Sequence, residues 1–267
     1  MTSTTSPVLL TGGTGTLGRR VIPLLRAAGR DVRVLSRHDH RPRDGAEFVT
    51  GDVSTGDGLD VAVEGVDTVV HCAGSAKGDA DKARNLTEAA SRAGVRHLVF
   101  ISVVGADRIP VVSRVDHAMY GYFAAKREAE RIVAGSGVPW TTLRATQFHD
   151  WVLVLLRQMA RMPVMPLWGG ARFQPVDSGE VAARLVELAL GEPAGLVPDV
   201  AGPRVHSMEE LAQSYLRASG KRRLTISPKA PGKAAAAYRQ GANLAPERAV
   251  GRRTWEEFLA AQTPGDL

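Results

Sequence analysis

The sequence predicts an α/β fold, a doubly wound parallel sheet with a smaller carboxy-terminal lobe, and three observations carry that prediction. Short, continuously apolar runs alternate with segments of helical period through the first half of the chain. A glycine-rich loop, Thr11-Gly12-Gly13-Thr14-Gly15-Thr16-Leu17-Gly18, stands directly between the first such run and the first helix. After Arg144 the alternation gives way to a mostly helical pattern. Strands that are apolar throughout must be covered on both faces, and crossover helices do this in a parallel sheet.

In order, strands are expected at 7–10, 32–35, 48–49, 66–72, 98–102 and 140–143, with helices between them at 79–93 and 122–134. Pro23 falls inside the first helix and is expected to kink it. Beyond Arg144, helices are expected at 150–160, 179–190 and 208–219, with a Pro- and Gly-rich stretch at 162–170 and a loop turning into an Ala-rich helix at 229–239. Neither a low-complexity linker nor an internal repeat interrupts the chain. Residues 1–145 are therefore read as the core and 146–267 as a mostly helical lobe packed on it, a single integrated unit. Such a lobe belongs at the carboxyl ends of the strands, where ligands of this architecture bind.

Composition sets outer bounds. The 267 residues are 44% hydrophobic and 23% charged, which excludes a disordered chain and a disulfide-dense mini-protein and suffices for one sizeable core. The net charge of +6 suits an anionic small ligand as well as nucleic acid. Only six of the 34 cations are lysine, and with the abundant Ala and Gly this looks like coding bias, so no nucleic-acid partner is expected. The single Cys72 forms no intramolecular disulfide, no Cys/His spacing resembles a zinc site, and His38-Asp39-His40 is read as surface loop; no metal is expected. The first ten residues lack a basic n-region, and no apolar run reaches about 18 residues, so a reducing, cytoplasmic location without a membrane partner is expected.

The glycine loop is the strongest chemical signal. Gly12, Gly15 and Gly18 give G-x-x-G-x-x-G, and positions 13, 15 and 18 also satisfy G-x-G-x-x-G. A pyrophosphate needs close backbone approach and the free N–H groups of a helix amino terminus, so Gly12, Thr14, Gly15, Thr16, Leu17 and Gly18 are candidate dinucleotide-binding residues. The second strand ends Ser36-Arg37, with no carboxylate to receive a ribose 2′-hydroxyl. Ser36 and Arg37 can instead hold a 2′-phosphate, which favours NADP(H) over NAD(H). Otherwise Arg37 is a solvated loop arginine beside Arg41 and Arg43. Asp52 and Val53 follow the third strand and contact the adenine, or Asp52 caps the next helix. Ala73, Gly74 and Ser75 end the fourth strand with small residues that let a ribose pass, and Cys72 reads as a structural thiol.

Tyr122 and Lys126 stand four apart at the start of an expected helix, hence on one face. There the ammonium can lower the phenol's pKa and bind the nicotinamide ribose, making Tyr122 a proton donor and Lys126 both a catalytic and a cofactor-binding candidate. The alternative is a simple surface pair. Tyr120 is a second possible donor without a lysine at that spacing.

These segments resemble the short-chain dehydrogenase/reductase superfamily in its atypical, NmrA-like NAD(P)-binding branch. TGGTGTLG, GDV at 51–53, ISVVGAD at 101–107, YFAAK, LRATQFHD at 143–150, FQPVDSGEVA at 173–182 and the tail GRRTWEEFLA carry the resemblance. It implies a Rossmann fold, NADP(H) binding by the glycine loop and Arg37, a substrate lobe, and Tyr122 and Lys126 as the catalytic pair. Full members also carry a serine near the end of the fifth strand that orients the substrate carbonyl. Ser102 is in that region, while the best-corresponding position holds Val104, a departure that weighs against ordinary alcohol dehydrogenation. Residues 109–119, with Arg114, Asp116 and His117, are read as a loop over the nicotinamide or a solvated loop.

On the substrate side Gln147, Phe148, His149 and Trp151 follow the sixth strand, with Trp168 and Phe173 beyond. With Val104 and His117 they are candidate contacts for a flat, partly apolar substrate, or ordinary core and rim. The first reading is an NADPH-dependent reductase of a carbonyl, quinone or enone, as a monomer or homodimer. A dinucleotide-sensing regulator without turnover, or a cofactor-assisted isomerase or cyclase, is the alternative.

Overall fold

The computed structural model describes residues 6–41, 45–75 and 78–262, so the first five residues and Arg43 lie outside the described part. The first half runs β1 (Val8–Thr11), α1 (Gly18–Ala27), β2 (Val32–Ser36), β3 (Ala46–Thr50), α2 (Leu59–Val63), β4 (Thr68–His71), α3 (Asp79–Arg92), β5 (His97–Val103), α4 (Arg114–Gly135) and β6 (Trp140–Ala145). There follow α5 (His149–Met159), β7 (Val164–Pro166), β8 (Arg172–Phe173), α6 (Ser178–Leu190), β9 (Gly195–Leu196), β10 (His206–Ser207), α7 (Met208–Ala218), β11 (Leu224–Ile226), α8 (Lys233–Arg239) and α9 (Trp255–Ala260).

Two compact units emerge. Met1–Ser102, Ala125–Leu143 and Gly179–Val197 form the first, and Val103–Ala124, Arg144–Ser178 and Pro198–Leu267 the second. The division crosses the chain at several points.

In the first unit the described strands form a sheet in the order β3-β2-β1-β4-β5-β6-β9, and β1 runs parallel to both β2 and β4. Chain direction across the sheet reverses at β1, the switch point where ligands of doubly wound sheets bind. β1, β4 and β5 are buried at every position, as their unbroken apolar runs require, whereas β3 is partly exposed near the edge. Leu9, Val69, Leu98 and Phe100 pack against Leu59, Leu86, Ala129 and Val133 of the covering helices. Pro23 does sit inside α1, with its ring exposed where it displaces no packing.

The second unit packs its helices around an aromatic core that includes Phe173, Tyr215, Tyr238, Trp255 and Phe258. Serine and threonine boxes start two of them: Ser207 with Glu210 begins α7 and Thr254 with Glu257 begins α9.

α4 departs from the sequence expectation. It begins at Arg114, so Asp116 and His117 are helical and not part of a loop. Ser113 Oγ accepts from Asp116 N–H at 3.1 Å, while Asp116 Oδ2 accepts from Ser113 N–H at 3.1 Å and from Ser113 Oγ–H at 2.8 Å. This reciprocal cap satisfies donors that would otherwise be orphaned and starts the helix eight residues before Tyr122.

Candidate active site

The loop after β1 is built around missing side chains. Gly12 has φ +71°, and a Cβ there would lie 2.7 Å from Ala73 N and Cys72 C, at the end of neighbouring β4. A Cβ on Gly18 would lie 2.2 Å from Gly12 O and 2.6 Å from Gly13 Cα, so the first turn of α1 rests directly on the loop. At Gly15 the nearest atom to such a Cβ would be Gly12 O at 3.3 Å. The amino end of α1 has no side-chain cap and no acidic residue in its first turn, which leaves its dipole available to an anion.

This loop opens on a cavity of about 840 Å³ contained in the first unit. Gly12, Thr14, Gly15, Ser36, Arg37, Asp52, Val53, Ala73, Gly74 and Ser75, all expected from sequence, line it. Thr16, Leu17, Gly18 and Lys126 do not: Leu17 and Gly18 are buried beneath the loop. Arg19, Arg41, Lys82, His40 and Phe48 also line it and were missed. Of these only Arg19 carried a local signal, as the cation that directly follows the third glycine. Asp52 is the sole carboxylate among the lining residues, against Arg19, Arg37, Arg41 and Lys82. The field in the cavity therefore favours an anion.

The loop after β3 is held by side chains. Asp52 Oδ1 accepts from Ser54 N–H at 2.8 Å, and Asn85 donates to the carbonyls of Val53 and Ser54 at 3.0 Å each. Gly58 stands at the N-cap of α2, so Asp52 does not cap that helix.

Lys126 is only 3% exposed. Its Nζ donates to Ile101 O at 3.1 Å, lies 3.2 Å from Asp79 Oδ2, and sits 4.8 Å from the centre of the Phe100 ring. Asp79 also accepts from Ser75 N–H at 2.8 Å and pairs with Lys82 Nζ at 3.2 Å. Burial pushes the Asp79 carboxyl up, but Lys126 foremost, then Ser75 N–H and Lys82, hold it below the usual carboxylate value. Lys126 Nζ also lies 3.1 Å from where a Cβ of Gly74 would be, so glycine at 74 leaves room for the ammonium. Ser102, at the end of β5, is 5% exposed and its Oγ has no hydrogen-bond partner among the described residues. Nearby, Thr11 Oγ1 and His71 Nδ1 are hydrogen-bonded at 2.6 Å, and burial pushes His71 down to about 3. Burial likewise pushes the Cys72 thiol up to about 12, which suits the structural reading and no nucleophile.

The remaining sequence candidates fall into three groups. Tyr122, His117 and Trp151 are exposed, and the Tyr122 ring meets Phe123 edge-on at 5.8 Å. Tyr120 is buried, which pushes its phenol up and disfavours it as the donor. Phe148 and Trp168 are half-buried; Trp168 meets Trp151 at 6.4 Å and Phe173 at 6.0 Å, and Phe173 itself is core.

Three placements correct the sequence reading. Val104 is fully buried with Ala201 and Ala245. Gln147 uses both ends of its amide internally, donating to Asn243 O at 3.4 Å and accepting from Gln174 N–H at 3.3 Å. His149 is fully buried, stacked on Phe258 at 5.0 Å and against Trp255 at 6.0 Å, with neither ring nitrogen hydrogen-bonded among the described residues. In each case chain from after residue 170 closes over a side chain that sequence alone leaves open. Among the described residues no three His, Cys, Asp or Glu side chains group as metal ligands, and no helix is long and apolar enough to cross a membrane.

The sheet order and the glycine cradle at its switch point define a dinucleotide-binding protein of the Rossmann-like class. Residues 12–157, more than half of the chain, match the NAD(P)H-binding family. The chain belongs to this family of NAD(P)-dependent oxidoreductases, in its NmrA-like, atypical short-chain dehydrogenase/reductase branch. It is 32% identical to the (4-alkanoyl-5-oxo-2,5-dihydrofuran-3-yl)methyl phosphate reductase of Streptomyces griseus, over 80% of this chain and 74% of that protein. It is also 32% identical to the ceramide reductase of Caulobacter vibrioides, over 71% of this chain and 63% of that protein. Among solved structures, the NADPH-dependent quinone oxidoreductase of Escherichia coli complexed with NADPH shares the fold with a TM-score of 0.77 at 20% identity, over 95% of this chain and 98% of that one.

Proposed function

We propose that this protein is an NADPH-dependent reductase of a carbonyl, quinone or enone group in a small, apolar or aromatic molecule. The observation that carries the reading is the cavity at the switch point, where Arg19, Arg37, Arg41 and Lys82 face a single carboxylate and no acidic residue ends β2. An NAD(H) site has a carboxylate at that tip for the ribose 2′-hydroxyl, whereas arginine there accommodates a 2′-phosphate. Cβ atoms on Gly12 and Gly18 would collide with backbone, so glycine there lets the loop lie bare against the head of α1, the close approach that a pyrophosphate needs. Ser36 and Arg37 hold the 2′-phosphate, Asp52 and Val53 contact the adenine, and Ala73, Gly74 and Ser75 leave passage for the ribose.

The bound cofactor supplies the hydride. Lys126, locked by Asp79 and Ile101 O, presents a fixed ammonium to the ribose hydroxyls. Tyr122, one helical turn earlier, donates the proton to the oxygen of the acceptor. Ser102 Oγ, buried and unpartnered among the described residues, is free to orient that oxygen by a hydrogen bond. The relatives named as reductases support this reading.

NADPH oxidation followed by absorbance against quinones, enones and ketones tests it. Turnover should fall by at least about 100-fold in Tyr122→Phe, the scale of general-acid catalysis. Arg37→Ala should weaken NADPH binding by about 10- to 100-fold and leave NADH binding unchanged, the loss of one charge-assisted hydrogen bond. Equal affinity for both dinucleotides in the unaltered protein would overturn the cofactor assignment. Tight NADPH binding without oxidation of any acceptor would overturn the reductase reading.

A further inference from the structure

A second cavity, of about 540 Å³, lies within the second unit. That size is in the range of about 300–1,000 Å³ typical of small-molecule sites. Its walls are apolar and deformable: Met119, Met159 and Met162, half of the chain's six methionines, line it. Unbranched thioethers adapt to the shape of whatever fills such a space. Tyr120, Trp168 and Tyr238 supply flat aromatic wall, with Tyr120 and Tyr238 in ring contact at 5.6 Å.

Two features show that a polar ligand group is wanted as well. Tyr120 and Tyr238 are 7% and 3% exposed. The two phenols line the same cavity, and each hydroxyl is a donor that a ligand's polar group can use. The only charged residues lining it are Lys229 and Arg239, both cations. Arg239 is fixed in place, donating to Ala230 O at 2.7 Å. The segment that bears both cations is anchored at two points, by Gly169 N–H donating to Pro228 O at 3.0 Å and by Ala234 N–H donating to Asp116 Oδ1 at 3.1 Å.

We infer that this cavity binds an amphipathic anion, with an aliphatic or aromatic body between the methionine and aromatic walls and a terminal carboxylate or phosphate at Lys229 and Arg239. This goes beyond the proposed function and stands on the cavity of the second unit alone. Binding is measured without cofactor, so its failure and the failure of the hydride chemistry are separate results.

The test is a titration of the full chain, free of NADPH, with decanoate, decyl phosphate and decanol, followed by tryptophan fluorescence. Both anions should quench saturably and bind about tenfold more tightly than decanol, the worth of two solvent-exposed ion pairs. Lys229→Gln, at an exposed side chain whose loss leaves the fold intact, should remove about threefold of that preference and leave decanol binding unchanged. Ala230→Trp, which projects a ring from the cavity wall, should weaken all three ligands at least about tenfold. The tighter of the two anions identifies the head group. Absence of saturable binding, equal affinity for decanol and the anions, or an unchanged preference in Lys229→Gln would overturn the inference.

Discussion

Replacing Lys126 with methionine removes the ammonium that lies 3.2 Å from Asp79 Oδ2 while keeping a chain able to pack on Phe100. Asp79 is 2% exposed, so its carboxylate would retain only Ser75 N–H and Lys82 Nζ among these partners. Breaking a buried ion pair from one side costs about 3–5 kcal/mol, because the remaining charge stays out of water. Lys82 compensates in part, which places the expected loss near the lower end, about 3 kcal/mol. At roughly 2–4 °C per kcal/mol for a chain of this size, Tm should fall by about 6–12 °C. The pH dependence discriminates further. In the unaltered protein the Asp79 carboxyl is held low against its burial, so its contribution is complete above the unfolded value of about 3.9 and is lost as pH falls through the folded value. Without Lys126 burial dominates, the folded pKa rises, and the penalty is relieved as pH falls from 7 towards 4. The stability gap between the two proteins should therefore narrow on acidification, as measured by urea unfolding at pH 7 and pH 5. Asp79→Asn in the Lys126→Met background should restore part of the loss at pH 7. A gap that stays constant or widens in acid, or a double variant no more stable than Lys126→Met, would refute the reasoning.

Other consequences follow from the same structure. Gly18→Ala places a methyl 2.2 Å from Gly12 O, so α1 must move off the loop; we expect about 1–3 kcal/mol of destabilisation and weakened NADPH binding by calorimetry, and an unchanged affinity would contradict the cradle. Burial pushes His149 down to about 4, so the folded state refuses a proton that the unfolded chain takes up below about pH 6.5. That group should cost roughly 3 kcal/mol of stability between pH 6.5 and 4, and His149→Phe should flatten the acid limb; identical slopes for both proteins would rule this out. With its thiol pushed up to about 12, Cys72 should react with iodoacetamide at pH 7.5 far more slowly than a small-molecule thiol although it lines the cavity, and a comparable rate would show that the thiol is not held protonated.

Much of the fold was legible because its causes are local. Fully buried strands such as β1 and β4 must be apolar throughout, and the glycine loop must lack side chains where backbone meets backbone, so both leave marks in consecutive residues. The start of α4 was less legible: the Ser113 and Asp116 cap starts the helix eight residues before the apolar period that begins at Tyr122, in a stretch whose local pattern reads as loop. β9 was not: two residues, Gly195 and Leu196, become a strand only because β6 offers them an edge to pair with.

By itself, the sequence determined the parallel sheet, the dinucleotide loop and the cationic end of β2, since each depends on chemistry within a few neighbouring residues. The tertiary structure alone decided which charges share a cavity and which polar groups are sealed. Arg19, Arg41 and Lys82 meet because the sheet reverses direction at β1, and Lys126 finds Asp79 across 47 positions of chain. His149 and Val104 are sealed, and the Gln147 amide is engaged, because later segments pack on them. Burial is a property of the whole chain's packing, and no short stretch of residues encodes it.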